Sequence, residues 1–331
     1  MMVEPTRRKA LLRLGTLAVA ATVIVPGQVP AAPAPWPGKP VRLVVPFSAG
    51  GPGDTVARLI AQALAKQFGQ SVIVDNKPGA GGLIGSEYVA KSQADGYTLL
   101  VAGNGAIANG LLRTKMPYAE DDLVPVAITN SAPSVLITAP TAPFTDLKSL
   151  QAYGKAKGRV TFGTAGAGST GHFVAEMVGK TLGVPVTVIH YKSGGESLSA
   201  VIGGQIDLAS EAPVGVMGYV RGGRVRALAV TEDKRSISLP EVLTTTEQGF
   251  GGIRMRHWGG IYAPKGTPAP VIQRIATATH AALQNDGELR MQLEKNGYQP
   301  ESGTPADFAR FIESEKTRLS KIVRDSHMTL D

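Results

Sequence analysis

The sequence predicts an α/β fold of two lobes, each a mainly parallel sheet flanked by helices, facing each other across a cleft. Three observations carry the prediction. Short apolar runs alternate with helical faces, the pattern of a parallel sheet covered by helices. The alternation forms two series, the second lying inside the sequence between crossover strands. Glycine-rich turns follow strands and open helices in both series, and such sheets take ligands beyond the carboxyl ends of their strands.

The first series opens with Val41-Arg42-Leu43-Val44-Val45-Pro46, a buried-strand run, and a glycine-rich turn over residues 48–53. Val56, Leu59, Ile60, Ala63, Leu64 and Phe68 then share one helical face. Asp54 stands at the N-cap of this helix and Gly69 at its end. A strand over 71–75, the turn Asn76-Lys77-Pro78-Gly79-Ala80-Gly81-Gly82, a helix over 83–92 and a strand over 97–102 repeat the unit. Strands over 123–129 and 135–139 lead into the second series. It reads as a helix to about 157, strand 159–164, helix 171–182, strand 186–190, helix 197–202, strand 206–209, helix 214–220 and strand 225–230. His257 and Trp258 fall in a crossover strand, and helices follow over 270–284, 287–296 and 305–324. Lobe 1 is expected over residues 32–132 and 256–331, and lobe 2 over 133–255.

Residues 1–31 are expected to be a cleaved signal peptide. Thr6-Arg7-Arg8-Lys9 is positive, residues 14–25 are a largely apolar stretch of 12 residues, and Val29-Pro30-Ala31 offers small residues to a peptidase ahead of Ala32. A bilayer-spanning helix needs about 20 apolar residues, so this stretch is too short to be one. The paired arginines fit twin-arginine export, while Ala10 departs from the bulky residue that route prefers, which leaves general secretion equally open. The leader holds four cations and one anion, a net +3, so the formal +8 becomes +5 without it. That mild positive field suits anionic ligands, and the lack of a basic run argues against nucleic acid. There is no cysteine, which excludes disulfides, thiolate metal sites and cysteine nucleophiles. No histidine pair has metal-ligand spacing and Asp121-Asp122 fits a solvated loop, so no metal or cofactor is expected.

Two strand-to-helix turns carry the chemistry: Pro46-Phe47-Ser48-Ala49-Gly50-Gly51-Pro52-Gly53-Asp54 and Gly163-Thr164-Ala165-Gly166-Ala167-Gly168-Ser169-Thr170-Gly171-His172. Glycine lets the backbone approach a ligand, and the N–H groups of the following helix point at it. Each turn is thus an anion site without a charged side chain, or else simply a tight turn. The stretch from Gly166 to Gly171 also matches the dinucleotide fingerprint. No acid follows His190-Tyr191-Lys192-Ser193 until Glu196, but Lys192 would suit a 2′-phosphate, the basis of an alternative as an NADP-dependent oxidoreductase. Ala167-Gly168-Ser169-Thr170-Gly171 resembles a nucleophile elbow, which Asp207 with His257 or His280 would complete. His172, opening a helix beside the second turn, is a candidate ligand contact. Glu211 follows the strand over 206–209 and either faces the cleft or caps the helix beginning near 214.

Further motifs form a recognisable set. They are Trp36-Pro37-Gly38-Lys39-Pro40-Val41-Arg42, Val45-Pro46-Phe47-Ser48-Ala49-Gly50-Gly51 with Asp54, Asn76-Lys77-Pro78-Gly79-Ala80-Gly81-Gly82 and Asp95-Gly96-Tyr97-Thr98-Leu99-Leu100. Later come Tyr191-Lys192-Ser193-Gly194, Gly203-Gly204-Gln205-Ile206-Asp207, Arg226-Ala227-Leu228-Ala229-Val230-Thr231 and Gly260-Ile261-Tyr262-Ala263-Pro264-Lys265-Gly266-Thr267-Pro268-Ala269-Pro270. Together they cover essentially the whole chain after the leader, and in them the chain resembles the substrate-binding proteins of tripartite tricarboxylate transporters, the Bug receptors. The resemblance implies a periplasmic-binding-protein (Venus-flytrap) fold, a periplasmic location, a monomer and no catalytic activity. It also implies a small carboxylate ligand (amino acid, hydroxy acid, or di- or tricarboxylate) taken for uptake or sensing, with the membrane subunits of such a transporter as partner. In such proteins the two glycine-rich turns hold one ligand carboxylate. Carried over, Ser48, Ala49, Gly50, Gly51 and Asp54 form one jaw and Gly166, Ala167, Gly168, Ser169 and Thr170 the other. Asn109 matches an asparagine usual after the third strand. Ser48 stands where proline is usual, Glu211 where aspartate is, and Arg113 where tyrosine is common, while Ala209 and Ser210 replace bulkier residues. These departures leave the ligand's identity open.

Overall fold

The computed structural model describes residues 1–2 and 36–330, so the expected signal peptide lies outside the described residues apart from its first two. The first sheet has the strand order β11-β4-β10-β3-β1-β2. Its strands β1 (Val41–Val45), β2 (Val72–Asn76) and β3 (Thr98–Gly103) run parallel, with Leu43 opposite both Val74 and Leu99. Strand β10 (Arg256–Pro264) is inserted antiparallel between β3 and β4 (Leu123–Pro133), and β11 (Gln299–Pro300) pairs with the far side of β4. The second sheet has the order β7-β6-β8-β5-β9. Here β6 (Val160–Thr164), β7 (Val186–His190) and β8 (Leu208–Glu211) are parallel, and β5 (Val135–Thr138) lies antiparallel between β8 and β9 (Arg226–Val230).

This is the two-lobed α/β architecture the alternation predicts. Each sheet is mixed, for a topological reason. Strand–helix–strand units lay down the parallel triplets, while the strands that carry the chain between sheets enter antiparallel.

Helix α1 (Pro52–Phe68) begins where Pro52 presets a helical φ and ends at Gly69, whose φ of 64° is left-handed. Its Val56, Ile60 and Leu64 are buried in one core with Leu43, Leu99 and Ile261, each worth roughly 1.5–3 kcal/mol on removal from water. α2 (Leu83–Ala90) covers the same sheet, and α3 (Asn104–Leu112) follows β3 directly. The sequence pattern did not reveal α3, because Gly105 and Gly110 dilute its helical signal. In the second lobe, α4 (Leu147–Lys157) is capped by Asp146, and α5 (Thr170–Leu182) buries Phe173, Val174 and Val178 against Phe162 and Leu208. α6 (Gly194–Ile202) and α7 (Pro213–Arg221) complete it. α8 (Ala269–Asn285) and α9 (Gly287–Lys295) return to the first sheet, and α10 (Pro305–Ser326) packs against both α3 and α5.

The two passages between sheets are tied together. Ser134 N–H donates to Met255 O (3.2 Å), Thr231 N–H to Ser134 O (2.9 Å) and Met255 N–H to Thr231 O (3.0 Å).

Candidate functional site

The turns after β1 and β6 open at the carboxyl ends of the parallel triplets, and Ser48, Ala49, Gly50, Ala165 and Ala167 are exposed there. In the first turn Asp54 is the third residue of α1, and Gly51 is the N-cap, because Pro52 starts the helix earlier than the spacing implied. The Asp54 carboxylate is 3% exposed. It accepts from Gly50 N–H, Arg58 Nε and Asn76 Nδ2, each at 2.9 Å, and Asn76 also donates to Phe47 O at 3.0 Å. Burial alone would raise its pKa, but the bonds from Arg58, Gly50 and Asn76 outweigh it and hold the carboxyl below the ordinary range. Asp54 therefore shapes the backbone from Phe47 to Gly51. Its own acceptors are spent on the protein.

The second turn is braced from below. Gly166 N–H donates to Thr164 Oγ1 (3.2 Å), which pairs with His190 Nδ1 (2.8 Å), and Gly168 N–H donates to His172 Nδ1 (3.1 Å). Ser169 caps α5, its Oγ accepting from His172 N–H. His172 is buried and meets His190 edge to face at 4.7 Å. Burial first, and His190 second, push its pKa down to about 4, so the ring is neutral and Nδ1 is free to accept. The sequence offered His172 as a ligand contact, and the structure makes it a support for Gly168. Gly168 has a φ of 74°, and a Cβ there would stand 3.0 Å from Leu112 and 3.2 Å from Leu330, so its glycine is needed for packing. What the turns offer a ligand is backbone. The N–H groups of Gly53 and Asp54 in α1, and of Thr170 and Gly171 in α5, lie in first turns, where no intrahelical acceptor exists.

Asn104 joins the two lobes. Its Nδ2 donates to Thr170 Oγ1 (3.0 Å) and to Arg256 O (2.7 Å). A carbonyl can accept but not donate, so the second bond fixes the amide orientation and leaves Oδ1 buried without a protein partner. The adjacent Gly105 approaches the Phe47 ring and Gly81 O. A continuous path thus runs from the first turn through Gly105 and Asn104 to Thr170 and the second turn. Asn109 lies deeper than the resemblance placed it. Its Nδ2 donates to Gly81 O (3.0 Å) and its Oδ1 accepts from Arg113 Nε (3.1 Å), anchoring the turn after β2 to α3.

Glu211 is the last residue of β8 rather than beyond it, and its carboxylate leans on Gly194, the first residue of α6, where a Cβ would overlap it. It does not cap α7 by its side chain, the N-cap there being Ala212. Burial pushes its pKa up to about 7, against the opposing bond from Ala212 N–H.

The rival chemistries do not assemble. Asp207 accepts from Thr161 N–H, Tyr153 and Lys157 ahead of β8, and His257 bonds Ser134 in the crossover, while Ser169 is committed to its cap. The fingerprint glycines Gly166 and Gly168 have their N–H groups taken by Thr164 and His172. The sequence reading missed Arg58, Asn76, Asn104, Thr164 and His190. Only the Asp54–Arg58 pair had a legible signal, its spacing of four on a helix.

Residues 56–328 match the model of the tripartite tricarboxylate transporter family receptor. Protein BugT of Bordetella pertussis is 35% identical over 295 residues, 88% of this chain and 90% of that one. Among solved structures, R. palustris Rpa4515 with adipate superposes with a TM-score of 0.82 at 33% identity, over 89% of this chain and 99% of that one. Periplasmic binding protein BugD gives 0.79 at 30% over 89% and 99%, and MatC from Rhodopseudomonas palustris with bound malate gives 0.78 at 31% over 87% and 100%. With its two-lobed fold and its paired glycine turns, the chain belongs to the tripartite tricarboxylate transporter receptor family of solute-binding proteins.

Proposed function

We propose that the protein is a non-catalytic periplasmic receptor whose lobes close on one carboxylate of a small ligand. The observation that carries this reading is the opening of the α1 and α5 N-termini at the carboxyl ends of the two sheets, linked through Asn104. Unpaired N–H groups and the positive ends of helix dipoles favour an anion there, and the adipate and malate seen on two relatives are carboxylates. Ser48, Ala49, Gly50 and Gly51 form one jaw, and Gly166 to Thr170 the other. Asp54, Asn109 and His172 act by positioning. The lobes comprise residues 32–132 with 256–331, and 133–255, a division that keeps every strand of each sheet but the last residue of β4 on its own side. Removal of residues 1–31 after export would leave Ala32 as the first residue, and the membrane subunits of a tripartite transporter are the expected partner.

Calorimetric titration with mono-, di- and tricarboxylates tests the binding function. At least one should bind and raise the melting temperature by mass action, and failure of every carboxylate to bind would reject the reading. N-terminal sequencing of protein recovered from the periplasm tests the processing.

A further inference from the structure

Glu211 stands apart from the jaws in its chemistry. It ends β8, next to β6 whose turn forms the second jaw, and α5 begins against Ser210 O, one residue before it. On its other side lies the N-terminus of α6, where only a glycine at 194 leaves room for the carboxylate. Across from it, Gly297 packs on Pro213, and the Tyr298 hydroxyl feels the Glu211 charge. The carboxylate thus lies against the N-terminus of α6, and residue 211 as a whole is partly exposed. Among the described residues its electrostatic partners are the Ala212 N–H and the burial itself, with no cationic side chain. A carboxylate with no cationic partner of its own is suited to a cation that arrives with a ligand, with which it can form a charge-assisted hydrogen bond.

We propose that Glu211 is a specificity-determining residue that selects carboxylates bearing an ammonium group, such as amino acids, over plain di- and tricarboxylates. This rests on the receptor reading above and narrows its ligand class. The jaws take the ligand carboxylate, Glu211 takes the ammonium, and a second free carboxylate at the same place is repelled. Titratable and charged groups on the elements around it include Glu196 on α6 with Lys192 just before it, Arg221 on α7, Tyr298 before β11, His172 on α5 and His190 on β7. Burial lowers the pKa of both histidines, that of His172 to about 4, and raises that of the tyrosine. Protonation of Glu211 below its value of about 7 removes the charge that attracts ammonium.

Isothermal titration at about pH 8 and about pH 6, on either side of that value, with matched series of four to six carbons, tests the proposal. Each series holds the amino acid, the hydroxy acid and the unsubstituted dicarboxylate. The amino acid of the best series should bind at least about tenfold more tightly than its hydroxy isostere at the higher pH, the loss expected for one charge-assisted contact. That margin should shrink at the lower pH and vanish in Glu211→Gln. Gly194→Ala, which displaces the carboxylate without removing it, should reduce the margin as well, and serves if Glu211→Gln does not fold. A plain dicarboxylate binding at least as well as the amino acid, or a margin indifferent to pH and to both substitutions, would overturn the inference while leaving the receptor reading intact. Absence of binding by every member would strike at the receptor reading instead.

Discussion

Asn104 Nδ2 lies 3.0 Å from Thr170 Oγ1, and this bond connects the first helical residue after β3 in one lobe to the first residue of α5 in the other. The same amide nitrogen reaches the crossover strand at Arg256 O. The α5 N-terminus is thereby tied both to the start of α3 and to the crossover strand.

Thr170→Val, which keeps the shape and deletes the acceptor, should loosen the closed form. A net hydrogen bond contributes about 0.5–1.5 kcal/mol, so carboxylate affinity should fall about two- to tenfold. Thr170→Ser should restore it. Small-angle scattering with saturating ligand should show a larger radius of gyration for the valine variant than for the native protein.

Asp54→Asn should damage the first jaw more than its distance from a ligand implies. The new amide nitrogen would face either Asn76 Nδ2 or the Gly50 N–H and Arg58 donors, leaving at least one buried group unpaired at about 1–3 kcal/mol. Urea denaturation should show that loss, and calorimetry should show weaker binding with it. The Asp54 pKa is depressed in the fold, so its stabilisation is full above the ordinary value of 3.8 and is lost as pH falls below it.

His172 gives a different acid response. Its pKa falls from 6.5 to about 4 on folding, so the unfolded chain binds the extra proton between those values. Stability therefore rises with pH across that window and is flat above it, by at most about 3 kcal/mol for this group. His172→Gln should flatten the melting temperature against pH there. Protonation would also break the Gly168 contact, so carboxylate affinity of the native protein should hold across that window and decline only as the pH falls through about 4.

Ala167 supplies a cleaner probe of the second jaw than Gly168, since it is exposed and free of the left-handed φ that makes Gly168 a packing residue. Ala167→Asp should leave the melting temperature nearly unchanged and weaken carboxylate binding about tenfold or more, through like-charge repulsion at a site built for an anion. Normal binding by this variant would show that the second turn is not a jaw.

Much of this was legible in the sequence, and the rest was illegible for physical reasons. The strand-to-helix alternation and the two glycine turns follow local rules, and both turns lie at the carboxyl ends of their strands. Local rules failed where partners are distant. Asp54 was read as a cap because nothing local announces Asn76, 22 residues away, as its donor. His172 read as a ligand contact at a helix start because nothing local announces His190, on the next strand, as its neighbour. Asn104, which links the lobes, sits between two glycines that look like a turn, and its partners are 66 and 152 residues away.

The insertion of β10 between β3 and β4 bears on the order in which the molecule is assembled. Strands β5 to β9 come from one continuous stretch, so their sheet can form as soon as residue 230 is present. The other sheet stays split, with an unsatisfied edge on β3 and another on β4, until residues 256–264 return to fill the gap. Closing so long a loop is slow and leaves paired-strand edges open meanwhile. Pulse-labelled hydrogen exchange during refolding should protect Phe162 and Leu208 before Leu100 and Ile261.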